Sequence, residues 1–181
     1  MDLTKLSTPA KIISIVGLLA FIDSFLPWFS FSEKAADPAG LTGFSASGDA
    51  WNVGFGAWFP LLVLLALGVL AVLPAFGRTV TVRGSYAAIG AVALVATVIV
   101  ALRWLTYPSL PADESIYFNE GASFGTYLGL LLGVLATAAA YIGFTAEGGS
   151  LNNIAGAFKA PAPGAGGSPT GDAPDGPPQS L

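Results

Sequence analysis

The chain contains no cysteine and no histidine. The first absence excludes disulfides and thiol nucleophiles; the two together remove the commonest zinc and haem ligands, so any bound metal would rest on oxygen donors alone. Charge is scarce too. Asp, Glu, Lys and Arg make up 10% of the 181 residues, against about a quarter in an average soluble domain. So few charges cannot cover a soluble fold in which 54% of the residues are hydrophobic. With 7 Lys and Arg against 11 Asp and Glu, there is no basic patch to neutralise phosphates, which excludes nucleic acid as a partner.

What the chain does have is long apolar runs. Crossing a bilayer takes about 20 mostly apolar residues, and four segments qualify: 12–31, 55–76, 85–105 and 123–145. "LLVLLALGVLAVL" and "AAIGAVALVATVIVAL" carry no charge at all. The first segment, preceded by Lys5 and Lys11, has the outline of a signal peptide, but it ends in the bulky "PWFSF" and not in a small-residue cleavage site. The expectation is an all-α membrane protein, a bundle of four transmembrane helices over residues 1–147 that needs no cofactor. Residues 148–181, "KAPAPGAGGSPTGDAPDGPPQSL" among them, are rich in Gly, Pro and Ala without a hydrophobic pattern; they read as a disordered tail.

Basic residues set the orientation. Lys5, Lys11, Arg78, Arg83 and Lys159 fall on one side, and only Lys34 falls on the other. The excess marks the cytoplasmic side, which puts both termini inside a plasma membrane and the loops 32–54 and 106–122 outside. Those loops hold Glu33, Asp37, Asp49, Asp113, Glu114 and Glu120, an acidic outer face. In the first of them, "LTGFSASGDAWNVGFGAWF" mixes β-formers with Gly and Asp breaks and is able to form a short hairpin or an ordered cap. Trp28, Trp51, Trp58 and Trp104 would all lie at or beyond the outer interface, as an aromatic belt or as a lid over the bundle.

The "FIDSFLPWFSF" segment, the Trp-bearing loop leading into "GAWFPLL" and the glycine-rich last helix resemble small four-helix integral membrane proteins of high-GC Gram-positive bacteria. That resemblance covers residues 12–145 and implies no particular activity. The layout is also similar to claudins, but the loop lacks their cysteine pair and Trp-Gly-Leu-Trp motif, so a junctional function does not transfer.

Two constellations within the spans carry chemistry. Asp23 lies twelve residues, roughly 18 Å of helix, beyond Lys11, in the outer half of a hydrocarbon core about 30 Å thick. Pro27, four residues on, cannot donate to the Asp23 carbonyl, which predicts a bend there. Arg103 is the only basic residue in any predicted span and falls at a similar depth. The expectation is an intramembrane ion pair between Asp23 and Arg103, the alternative being an Arg103 that snorkels outward. In the last helix, Gly121, Gly125, Gly129 and Gly133 recur every four residues and predict a groove for close packing, within the chain or against a second copy.

No serine has a visible basic partner, and the adjacent Asp113 and Glu114 read as solvated loop acids; the sequence points away from an enzyme. The partners expected are the lipid bilayer and another membrane protein or the chain itself. That leaves a structural or accessory membrane subunit as the first expectation. A small proton- or cation-coupled transporter or channel using Asp23 is the second.

Overall fold

The computed structural model describes Thr4 and residues 6–33, 45–78, 85–107 and 118–150. The predicted tail from residue 151, the loop acids Asp37, Asp113 and Glu114, and the basic residues Lys5, Lys34, Arg83 and Lys159 lie outside the described residues.

The described chain is mostly helical with one small sheet. Helix α1 (Thr8–Asp23) starts at Ser7, whose Oγ accepts the Ala10 amide at 3.3 Å, with a proline in its first turn where a missing N–H does no harm. It buries Ala10, Ile13, Val16, Gly17, Ala20 and Asp23, one face at helical spacing. A four-residue helix α2 (Ala50–Val53) is capped by Asp49. At Gly54 φ is 113°, a conformation open to glycine, and the chain turns there into α3 (Phe55–Val72), which continues as a 3-10 turn, Leu73–Phe76. Helices α4 (Ser85–Leu105) and α5 (Phe124–Ala146) complete the bundle. The main packing pairs are α1 with α3, α4 with α5, α1 with α5, and α3 with α4.

Three helical stretches, Phe55–Phe76, Tyr86–Leu105 and Phe124–Ala146, are long and apolar enough to cross a membrane, and they mark the chain as a membrane protein. Helix α1 is not among them. The predicted first span, 12–31, is divided: the helix stops at Asp23 after 16 residues, about 24 Å, and residues 29–33 form a strand. Nor does the helix bend and continue at Pro27. The Asp23 carbonyl accepts the Leu26 amide at 3.0 Å and the Trp28 indole at 3.1 Å, so the helix closes in a turn and the carbonyl has its partners.

Strand β1 (Phe29–Glu33) pairs antiparallel with β2 (Ser45–Gly48) on one side and with β3 (Phe118–Ala122) on the other. Of the stretch read as a short hairpin only β2 is a strand; its partner β1 comes from the predicted first span, and Ala50–Val53 and the residues from Phe55 are helical. The third strand comes from the second loop, where "FNEGA" carries no alternating pattern. Gly121 is therefore a strand residue opposite Ser30, with open space above it, and does not belong to the predicted helical groove.

Candidate functional site

Trp28 is the centre of the sheet end of the bundle. It is fully buried. Its amide donates to Gly48 O at 2.8 Å, which ties it to β2. Its carbonyl accepts from Ser123 N at 3.0 Å, Thr126 Oγ1 at 2.6 Å and the Tyr107 hydroxyl at 2.9 Å, which ties it to the start of α5 and the end of α4. The Tyr107 and Thr126 hydroxyls are themselves 2.9 Å apart. Burial pushes the Tyr107 hydroxyl above its ordinary pKa, while the Thr126 hydrogen bond and the Arg103 charge pull the other way.

The indole lies in the glycine groove of α5. A Cβ on Gly129 would stand 2.8 Å from Trp28 Cζ2, and one on Gly125 would stand 2.7 Å from Nε1. Further along, the space over Gly133 is taken by the Thr97 side chain of α4, with Thr97 Cβ at 3.1 Å from the added atom. From Gly125 to Gly133, then, the groove is filled from within the chain.

Asp23 faces the same groove. Its Oδ2 would be 3.0 Å from a Gly129 Cβ, the residue is wholly buried, and neither carboxyl oxygen has a hydrogen-bond partner among the described residues. Arg103 is engaged elsewhere. Its NH2 donates to Val53 O at 2.8 Å and its NH1 to Thr106 O at 3.2 Å, while its methylene stem packs on Gly56 and its guanidinium lies 5.2 Å from the Tyr107 ring centroid. The predicted Asp23–Arg103 pair is thus not formed. Depth along the helices permits it, but rotation does not: Arg103 points to the α2–α3 junction, where the break at Gly54 leaves the Val53 carbonyl in need of a donor.

The four tryptophans do not share one environment. Trp51 stacks on Trp58 at 5.5 Å and 12°, and Phe25, Phe55 and Phe59 extend this into an aromatic cluster with exposed rings. Trp104 is 40% exposed and meets Tyr127 edge-on. These three suit an interface; Trp28 belongs to the core and not to the predicted external set.

Sequence reasoning missed a close backbone approach between two helices. Gly17 of α1 and Gly68 of α3 face each other, with Gly68 Cα 2.9 Å from a Cβ built on Gly17, and Ser14 Oγ donates across the crossing to Gly68 O at 3.2 Å. Each is a lone glycine inside an apolar run, a signal of close approach that does not name its partner. Among the described residues no three acidic side chains converge as metal ligands. Comparison with protein-family models, with curated proteins and with solved structures yields no match.

Proposed function

We propose that the protein is a four-span integral membrane protein of the plasma membrane, with both termini cytoplasmic and the sheet outside, acting as a structural or accessory subunit that binds another membrane component. The supporting observation is the sheet end itself. Strands from both connecting loops are clamped onto the helices through Trp28, so the chain builds a folded outer cap on a bundle whose α5 glycine groove is filled from within. Such a cap with an exposed aromatic rim is a surface for a partner, not a path for a solute. The first crossing is made by α1 together with the turn that follows it. Non-helical backbone is tolerated at membrane depth only where protein satisfies it, and here Ser24 O, Pro27 O and Trp28 O accept from Ala50, Gly125 and Ser123.

Purification from native membranes in mild detergent tests this reading. A stoichiometric second membrane protein, lost when Trp51 and Phe55 are replaced by serine, is the expected result. Repeated isolation of the chain alone would count against it.

Transport through Asp23 is the second reading, favoured by the two carboxyl oxygens that lack partners among the described residues. Against it stand the complete burial of Asp23 and the lack of any Asp, Glu, Lys or Arg in α3 and α5 to relay a proton. Proteoliposomes should therefore show no more proton flux than empty vesicles. Flux that Asp23→Asn removes would reverse the order of the two readings.

A further inference from the structure

A cleft of about 480 Å³ opens between the sheet and the end of α4. Its shape follows from the register. Phe29 and Phe31 project from one face of β1, and the residues opposite them on β2 are Gly48 and Ala46, too small to cover that face. Tyr107 stacks on Phe29 at 5.0 Å and Phe31 meets Phe29 edge-on at 4.4 Å, which makes a continuous aromatic wall. Arg103 lines the same cleft. Two of its donors are engaged among the described residues, both by neutral carbonyls. A cation beside an aromatic wall, in a cleft within the roughly 300–1,000 Å³ range of ligand pockets, is a site for an anion that carries an apolar body.

We propose that this cleft binds a phosphate ester, with the phosphate on Arg103 and the apolar remainder against Phe29, Phe31 and Tyr107. Arginine suits this role because its planar fork offers paired N–H donors to phosphate oxygens while its face lies on an aromatic ring. The site is preorganised, since the guanidinium is already held by Val53 O and Thr106 O and the methylene stem by Gly56 before any ligand arrives. The carbonyl end of α4 opposes an anion there, but that effect is that of a partial charge, and Arg103 contributes a whole one. Arg103 lies in the last turn of an apolar helix, the level at which lipid phosphates meet the hydrocarbon. A lipid headgroup and a soluble phosphate ester present the same chemistry to it.

The test uses the full chain purified in a neutral detergent. Dihexanoyl phosphatidylglycerol, glycerol 3-phosphate and dihexanoylglycerol are titrated separately, and binding is read by calorimetry and by the rise in thermal midpoint. Saturable binding of either phosphate ester, with none of dihexanoylglycerol, is expected. Preference for the phosphatidylglycerol identifies a lipid headgroup as the ligand, and equal binding of glycerol 3-phosphate identifies a soluble ester. Arg103→Gln should weaken binding about tenfold or more, the worth of a charge-assisted hydrogen bond. Because Arg103 also holds the α2–α3 junction, Ala46→Phe serves as the second variant: it fills the cleft from an exposed strand position and leaves every Arg103 hydrogen bond in place. It should abolish binding in a protein with unchanged circular dichroism. No saturable binding of either ester, binding of dihexanoylglycerol as tight as that of its phosphate counterpart, or binding indifferent to Ala46→Phe would overturn the proposal. None of these outcomes depends on whether a protein partner co-purifies.

Discussion

At Gly129, one added methyl group sets two effects against each other. Glycine to alanine in a helix gains about 1 kcal/mol in propensity, but the new Cβ would stand 2.8 Å from the Trp28 ring and 3.0 Å from Asp23 Oδ2, and overpacking of that kind costs about 1–3 kcal/mol. Trp28 is held at its amide, carbonyl and indole and cannot retreat, so the clash wins. Gly129→Ala should lower the detergent thermal midpoint, whereas Gly121→Ala, with open space above it, should leave it unchanged. Asp23 and Arg103 do not contact each other, so the stability changes on Asp23→Asn and Arg103→Gln should add to within about 0.5 kcal/mol in the double variant. A larger coupling energy would restore the ion pair. Tyr107 brings pH into the same region. Its hydroxyl is pushed above the ordinary value of 10.0, so the folded state holds that proton more tightly than the unfolded chain. The resulting stability is complete below about pH 10 and is lost as pH rises through the folded value. Tyr107→Phe should cost about 1 kcal/mol at neutral pH through lost hydrogen bonds, and its deficit relative to wild type should narrow only as pH rises above the ordinary tyrosine value of 10.0 in unfolding followed by circular dichroism.

Among the elements, α1 and α3 approach closely, because two glycines meet at their crossing and Ser14 bridges it. Helices in lipid gain association free energy from such contact, since lipid tails are as apolar as the side chains they replace. A Cβ on Gly17 would stand 2.7 Å from Leu64 O, a backbone atom that moves only if the whole helix moves. Gly17→Ala should therefore destabilise by about 1–3 kcal/mol, while Leu18→Ala, on the exposed face of the same helix, should shift the midpoint far less. The sheet depends on long-range contacts in a different way. β1 is flanked by strands from two separate loops, and what holds it to the helices is the Trp28 carbonyl. Thr126→Val removes one of the donors to that carbonyl without changing side-chain volume much, and amide exchange in β1 should accelerate as a result.

On the scale of the whole molecule, Ser7 and Tyr86 meet at one end through a 2.6 Å hydroxyl contact, and Glu147 lines the same apolar cavity as both. The start of α1 and the end of α5 thus share the end opposite the sheet. On the proposed four-span topology, that end is the cytoplasmic one. A cysteine introduced at Ser45, on β2, should react with an impermeant maleimide from outside intact cells, and one introduced at Glu147 should react only after permeabilisation. Reaction of both from outside would remove the four-span topology.

Composition and hydropathy alone pointed to a membrane protein with four spans; three of those runs are helices long and apolar enough to cross a membrane, close to the expected limits, and the first is not. The sheet was not legible in the same way: β2 is Ser-Ala-Ser-Gly, without a β-forming residue, and its partner β1 lies inside the run read as the first span. Recurrence at every fourth residue did mark Gly125, Gly129 and Gly133 as a groove, since spacing along a helix is a local property. The occupant of that groove was not legible. It depends on how α1 is rotated against α5, and the turn after Asp23 decides this by swinging Trp28 inward instead of prolonging the helix towards the interface. The same rotation leaves Asp23 facing glycine and sends Arg103 to the Val53 carbonyl, so two charges at matching depth never meet. Depth is additive along a chain and can be counted from residue numbers. Azimuth is set by contacts between elements remote in sequence, and only the packed tertiary structure determines it.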